Sequence, residues 1–344
     1  MGFQHESTLA GYAREAVDLK IRMTEYFSTS GFADYARNLL TVQLSDDNTP
    51  GLRFTDRAIA QISHYGSTTW QLGEPYVLAP AMTAVIAAAA NTLDLTGDVL
   101  TDDIAPTDTG VLFLPEPIYQ RHDDGTIHSV GAITWTRAAP IGNGPPVWRI
   151  AAWADLNDPH DPTLAAIRQH VAQQPALATA LSPYLFLDLD QLPIGAPVQG
   201  VAWSDTPEPE QDWQNAPDGR YVLETTSTPT KVCVRIAYAF WRISAQPLAT
   251  LAQPPLERPA RRRANRASIV HNTRVVMLRR TSQAADRGDD DAKWHYRVRF
   301  AVRGHWRRLH DKDGRPYRIW INAYIKGPDG APLLHGEKVA VLAR

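Results

Sequence analysis

Histidines and arginines near the carboxyl-terminal end of the chain have the residue types that cleave RNA without a metal ion. Such cleavage needs a general base for the 2'-hydroxyl, a general acid for the leaving oxygen, and cations at the phosphate. Histidine titrates close to neutral pH and suits either proton-transfer role. The candidate catalytic residues are His305 with Arg303 and Arg307, and His295 or His310 as the second histidine. The same residues can also bind phosphate or backbone without chemistry, so both interpretations stay open.

The candidate residues lie in two strand-like arms between residues 295 and 326. Each arm alternates apolar and basic residues, and "HDKDG" (310–314) between them predicts a turn. If the apolar sets pack inward together, the outward face displays cations around aromatic rings, which neutralise phosphates and stack on unpaired bases at roughly 1–3 kcal/mol per base. The pattern therefore predicts a nucleic-acid-binding face that favours single strands. Besides His295, Arg303 and His305, its members are Arg297, Arg299, Arg318, Trp320, Asn322, Tyr324 and Lys326.

Three interpretations of this basic face stay open. Neither arm carries an acidic residue, whereas an ordinary solvated face mixes both charge signs for cross-strand pairing. This favours RNA or DNA as the partner. The two alternatives are a face that is solvated or covered by acidic residues of the same chain, and a surface that docks on an acidic protein.

The formal net charge of -2 conceals a strong segregation of charge along the chain. From Arg258 onward there are 21 Lys and Arg residues against 8 Asp and Glu residues, a net of +13. The first 257 residues carry the other 14 basic and 29 acidic residues, a net of -15. Such asymmetry indicates a polyanionic partner for the basic part, or an acidic part that folds back and neutralises it.

The periodicity of apolar residues predicts an α+β fold, with a mostly helical N-terminal part, an antiparallel β middle and a small basic antiparallel β module at the C-terminal end. Predicted helices cover residues 7–40 with a break at Gly31, 55–65, 80–93, 162–174 and 230–245. Predicted strands cover 109–120, 126–137, 146–155, 196–203, 220–225, 273–280 and 338–342, besides the two arms. Asp124-Gly125 predicts a hairpin turn, and Pro115 with Pro117 places the strand before it toward a sheet edge.

Composition divides the chain into three parts. Residues 1–246 form an acidic α+β body, and residues 271–344 form the basic β-rich module. Between them, residues 247–270 are rich in proline and arginine. Because proline is stiff and the arginines repel one another, we expect an extended linker there.

Several classes of protein are disfavoured by the sequence. Cys233 is the single cysteine, which excludes a multi-cysteine zinc site and fits a packed thiol in a reducing cytoplasm. No apolar stretch is long enough to span a bilayer, and no basic-then-apolar leader is present, so we expect a cytoplasmic protein without membrane contact. No phosphate-binding loop, dinucleotide fingerprint or nucleophile elbow occurs, and we expect no cofactor.

One acidic cluster has residue types that can bind a metal ion. It comprises Asp155, Asp158, His160 and Asp161 in "DLNDPHDP". A proline-rich turn capped by aspartate side chains explains the same residues, and this is the interpretation we favour. We therefore expect no metal site.

The end of the chain resembles a known family. "RVVMLRR" (274–280), "VRGHWRRL" (302–309) and "GRPYRIWINAYIKGPDGAPL" (314–333) look like the tail of an uncharacterised family of bacterial mobile-element and phage proteins. The match covers about 70 residues, and "TGVLFLPEPI" (109–118) is similar to the middle of these proteins. The resemblance implies a mobile-element context and carries no activity. The hairpin also shows a loose similarity of layout, without a shared motif, to toxin nucleases of the barnase–RelE class.

Together these observations lead to one expected function and two alternatives. We expect a nucleic-acid-interacting protein of a phage or mobile element, acting as a metal-independent, toxin-like or defence-related ribonuclease. The first alternative is a non-catalytic replication or regulatory protein that binds nucleic acid. The second is a protein–protein interaction module. The sequence leaves the choice of RNA or DNA, the substrate sequence and the oligomeric state open.

Overall fold

A computed structural model of the chain describes the following residues: 8–45, 56–139, 144–174, 181–200, 220–279, 300–302, 304–312, 314, 316–322 and 324–326. Within these ranges, only the backbone is described for 38–45, 58, 300–302 and 324–326. The predicted strand at 338–342 lies outside the described residues.

The fold is α+β, as predicted. The helices of the described residues are α1 (Leu9–Tyr26), α2 (Ser30–Ser45), α3 (Asp56–Leu72), α4 (Pro80–Asn91), α5 (Ala165–Gln173), α6 (Val232–Ser244) and α7 (Arg258–Arg266). Their strands are β1 (Glu74–Leu78), β2 (Thr109–Arg121), β3 (Ile127–Ala138), β4 (Val147–Asp155), β5 (Tyr184–Pro193), β6 (Val222–Glu224), β7 (Ala249–Ala252), β8 (Arg274–Leu278), β9 (Phe300–Val302), β10 (His305–His310), β11 (Pro316–Ile321) and β12 (Tyr324–Lys326). Strands β1, β5 and β7 were not predicted. A strand was predicted at 196–203, but its described residues, 196–200, form only an isolated bridge at Pro197.

The first two helices separate at Thr29, so the predicted break at Gly31 is displaced by two residues. The side-chain oxygen of Thr29 accepts a hydrogen bond of 3.1 Å from the backbone N–H of Phe32, in the manner of an N-cap. Its hydroxyl also donates to the carbonyl of Tyr26 at 2.7 Å, which closes the end of α1. Thr8 caps the start of α1 by accepting from the N–H of Gly11 at 3.1 Å.

Eight strands form one mixed sheet in the order β5-β4-β3-β2-β1-β8-β7, and β6 pairs with the far end of β2. The prediction that Pro115 and Pro117 place β2 at an edge is wrong. Strand β2 is central because β1 pairs with it as far as Phe113, and β6 begins to pair at Tyr119. The prolines fall between these partners, at the register shift between Phe113 and Ile118 on the β3 side. A residue without an N–H is tolerated at such an irregularity.

Both faces of the sheet are buried, which explains why consecutive residues of β2 are apolar. Val111 and Phe113 belong to the core shared with α1, α2 and α3. Leu112 and Leu114 belong to the opposite core, shared with α4 and α6. Helices therefore cover the sheet on both sides.

The segment at 247–270 is ordered secondary structure, so the prediction of an extended linker is wrong. Strand β7 pairs antiparallel with β8, and β8 lies parallel to β1 inside the main sheet. Helix α7 starts with proline at its first turn and buries Ala264 against Val17 of α1 and Ile269. Burial of these small apolar residues outweighs arginine repulsion, because Ala260 and Ala264 lie one helical turn apart on the same side. No helix of the described residues has the length and apolar character needed to cross a membrane.

Candidate nucleic-acid interface

The predicted basic arms form a two-stranded antiparallel hairpin. Strands β10 and β11 pair with Trp306 opposite Trp320 and Arg308 opposite Arg318. The turn between them has Gly314 at φ +77°, and the N–H of Gly314 donates to the carbonyl of Asp311 at 3.0 Å. Strands β9 and β12 continue the pairing on the far side of a short break.

The register of the hairpin differs from the one on which the predicted basic face depends. Residues directly opposite each other in an antiparallel pair point to the same face. His305 lies opposite Ile321 and Arg307 lies opposite Ile319, so the basic set of the first arm shares a face with the apolar set of the second. The prediction of a single face of cations and aromatic rings is therefore wrong for these positions. A shift of one residue in the pairing of two strands moves every side chain of one strand to the opposite face.

Trp320 is buried, and the prediction that it stacks on exposed bases is wrong. Its side chain is only 4% exposed and belongs to the core beneath α4 and α6. Trp306 packs beside it at 5.4 Å between ring centroids and donates from its indole N–H to the carbonyl of Ala89 at 2.9 Å. A β-carbon at Gly304 would lie 2.4 Å from the Trp320 ring, so the glycine permits this close packing. Burial of two indole rings decides which face turns inward.

Arg318 is buried under an acidic residue of the body, so its predicted exposure is also wrong. Its Nε donates to Oδ2 of Asp98 at 2.8 Å, and Nη2 lies 2.6 Å from the same oxygen without hydrogen-bond alignment. Arg308 pairs with the other oxygen of Asp98 at 3.0 Å. The carbonyl of Arg318 accepts from Nε and Nη2 of Arg242 at 3.0 and 2.9 Å. For these two hairpin arginines, the interpretation in which the acidic part neutralises the basic part is confirmed.

The remaining predicted site residues divide into three groups. His305, Arg307 and Asn322 are exposed, and the first two share the face that points away from the body. For two residues, Tyr324 and Lys326, the structure describes only the backbone. Four residues lie outside the described part of the chain: His295, Arg297, Arg299 and Arg303. Their predicted roles stay predictions.

Replacing Asp98 with alanine is expected to lower the free energy of unfolding by about 3 kcal/mol, because it leaves the nearly buried Arg318 without its carboxylate. Urea denaturation measures the loss. The matched control is Asp102→Ala, which removes a carboxylate from the exposed pair with Arg137 and should cost at most about 1 kcal/mol. Equal losses in the two variants would show that Asp98 does not anchor the hairpin.

Helix α7 carries an arginine stripe that was not predicted from the sequence. Arg258, Arg262 and Arg266 follow one another at four-residue spacing on the side opposite the buried Ala260 and Ala264. We call these three residues the arginine stripe; Arg261, also exposed, flanks it.

The arginine stripe is not neutralised by any carboxylate of the described residues. On the same helix, Arg263 forms an ion pair of 2.7 Å with Asp18 of α1, whereas none of the stripe residues forms one within the part of the chain that the structure describes. Like charges four residues apart destabilise a helix by about 0.2–0.5 kcal/mol per pair. Arg258, in the first turn, opposes the helix dipole, whereas Arg266, in the last turn, complements it. The repulsion within the stripe therefore opposes helix stability, and tertiary burial holds the helix in place.

A signal for this helix exists in the sequence. Pro259 directly after Arg258 suits the first turn of a helix, and Ala260 with Ala264 supplies one apolar contact per turn. The prediction of a linker at residues 247–270 was based only on their content of proline and arginine. Three aligned guanidinium groups over about 12 Å of helix can contact successive phosphates of a nucleic acid.

The other residues considered for chemistry have structural roles. Cys233 is fully buried, and burial raises the pKa of its thiol, as expected for a packed residue. Asp158 accepts a hydrogen bond of 2.6 Å from the hydroxyl of Tyr119, and Asp161 accepts from the N–H groups of Ser129 and Leu164. No group of three or more potential metal ligands occurs among the described residues.

No protein-family model matches this chain, and a search of curated proteins finds no significant match.

Proposed function

We propose that this chain binds the phosphate backbone of a nucleic acid through the arginine stripe of α7. The observation that carries the proposal is the outward alignment of Arg258, Arg262 and Arg266 without a carboxylate partner among the described residues, beside Arg263, which has one. Arginine presents a planar fork of donors that suits phosphate oxygens. A polyanion that neutralises these charges would explain why the helix carries a stripe of like charges that opposes its stability.

The proposed contact is sequence-independent. Contacts to phosphate position a protein on nucleic acid but do not read bases. The expectation of a single-stranded partner depended on stacking by Trp320 and Tyr324, and Trp320 is buried. The proposal therefore names RNA or DNA without a preference for strand number.

The setting proposed for this contact is the cytoplasm of a bacterium that carries a phage or another mobile element. The support is the resemblance of the C-terminal motif, including the Arg-Gly-His-Trp-Arg segment at 303–307. In this setting the chain acts as a toxin-like or defence-related factor, or as a replication or regulatory protein.

Binding of fluorescein-labelled 20-nucleotide RNA, single-stranded DNA and duplex DNA to the full chain tests the proposal by fluorescence anisotropy. We expect the affinity to fall about 50- to 150-fold between 50 and 200 mM salt if the three stripe residues and Arg261 each neutralise one phosphate. No binding at 50 mM salt would remove the proposal and favour an acidic protein as the partner of the basic surface.

The candidate ribonuclease activity depends on the outer face of the hairpin. His305 and Arg307 are exposed two residues apart on β10, so a phosphate can reach both side chains. If the chain cleaves RNA, replacing His305 with alanine is expected to slow cleavage by about 10²- to 10⁴-fold and to leave binding by α7 unchanged. A gel assay of labelled RNA measures the rate.

The control for this variant is His64→Ala, which removes an exposed histidine from α3 on the other side of the sheet. It should leave cleavage unchanged. Absence of cleavage by the unmodified chain, both with chelator and with added divalent metal ions, would exclude the ribonuclease and leave a non-catalytic binding protein.

A further inference from the structure

A cavity of about 710 Å³ lies between the helices α2 and α3 and the sheet face formed by β4 and β5. Its volume is in the range of sites that bind small molecules, about 300–1,000 Å³. Aromatic rings from α1, α2, α3, β4 and β5, and from the residue after α1, line the wall. They include Phe27, Phe32, Tyr35, Tyr65, Trp153 and Phe186.

The rim of the cavity exposes apolar side chains to solvent. Ile62 of α3 is 37% exposed and Leu189 of β5 is 39% exposed, which is unusual for such large residues in this chain. Gln61 and Gln191, also exposed, lie beside them at the cavity. The entrance therefore combines apolar contact area with amide groups that can form hydrogen bonds.

Arg149 of β4 projects into this aromatic cavity. Its guanidinium lies over the ring of Tyr65, at 5.1 Å from the ring centroid. Its Nε is buried and has no hydrogen-bond partner among the described residues. No carboxylate of those residues forms an ion pair with it, whereas the other cation of the cavity, Lys231, pairs with Asp188 at 3.0 Å. Arg149 is thus a cation of the cavity wall that no carboxylate of the described residues neutralises.

We propose that this cavity binds a small aromatic carboxylate, with the carboxylate group on Arg149 and the ring among the aromatic side chains. A planar guanidinium binds a carboxylate through two parallel hydrogen bonds. Gln191 lies directly opposite Arg149 in the pairing of β4 with β5, so its amide N–H can reach the same anion. Aromatic walls favour a flat apolar body by edge-to-face and offset contacts. This site is separate from α7 and does not depend on the proposed nucleic-acid contact.

Calorimetric titration of the full chain with 2-naphthoate and with its neutral isostere 2-naphthamide tests the proposal. We expect 2-naphthoate to bind about 10-fold or more tightly than 2-naphthamide, because only the carboxylate can pair with the charge on Arg149. Equal affinities for the two compounds, or no binding of either at millimolar concentration, would overturn the proposal. This comparison needs no variant and so does not depend on the folding of one.

Two variants locate the binding. Arg149→Met should weaken 2-naphthoate binding about 10-fold or more and leave 2-naphthamide binding within about 3-fold, since it keeps an apolar stem similar to that of arginine and removes the charge. Arg137→Met, which removes an exposed arginine of β3 paired with Asp102, should change neither affinity. If Arg149→Met keeps full affinity while glutamine at the arginine stripe abolishes binding, the anion binds α7 and the cavity assignment is wrong.

Discussion

Replacing Arg258, Arg262 and Arg266 together with glutamine is expected to reduce the salt dependence of nucleic-acid binding. Each phosphate contact contributes a slope of about -0.7 for single strands and -0.9 for B-form DNA to the dependence of log K on log salt concentration. The magnitude of this slope should therefore be smaller by about 2–3 in the triple variant than in the unmodified chain. At 50 mM salt the variant should bind on the order of 10²-fold more weakly. The three side chains are exposed, so their replacement should leave the fold intact.

The matched control makes the same change in net charge elsewhere. Arg37, Arg121 and Arg137 each form an ion pair, with Asp34, Glu224 and Asp102 respectively. Their replacement with glutamine should leave the slope within about 0.5 of the unmodified value if position rather than total charge decides binding. If the slope decreases equally in both triple variants, binding depends on net charge in general and α7 is not the interface.

Replacing Trp320 with alanine is expected to lower the free energy of unfolding by about 3–5 kcal/mol. The indole ring is nearly fully buried against the core beneath α4 and α6, and its removal leaves a cavity beside Trp306. Denaturation by urea, followed by circular dichroism, measures the loss. At temperatures where the variant is folded, its affinity for single strands should equal that of the unmodified chain.

Asn322→Ala is the control for this change, because Asn322 is an exposed neighbour on the same arm. It should alter the free energy of unfolding by less than about 0.5 kcal/mol. A Trp320→Ala variant that keeps its stability but binds single strands more weakly would restore the stacking interpretation and contradict the packing described above.

The types of element could be predicted from the sequence because they depend on neighbours along the chain. Strands β2, β3 and β4 and helix α6 lie where alternation and helical periodicity place them, and Asp124-Gly125 forms a turn with Gly125 at φ +82°. The hairpin between β10 and β11 was predicted for the same reason. These are local choices, set by backbone preference and by which residues recur at a fixed period.

The faces of those elements could not be predicted, because they depend on partners far away in the chain. Arg318 and Trp320 belong to the set of alternating residues that was expected to face solvent. They instead contact α4, α6 and Asp98, which all lie more than 70 residues earlier in the chain. Nothing local distinguishes an indole ring that stacks on a base from one that packs on a helix. The apolar area available on the body decides between them.

The sequence by itself determined most of the helices, strands β2, β3 and β4, the hairpin turns, and the excess of positive charge in the last quarter of the chain. Only the tertiary structure decided that β8 lies between β1 and β7, that α7 presents three arginines outward, and that Arg149 meets aromatic rings from separate segments in one cavity. Secondary structure follows from short-range periodicity, which one segment contains in full. Strand order, exposure and cavities follow from competition among all segments for burial, which no single segment contains.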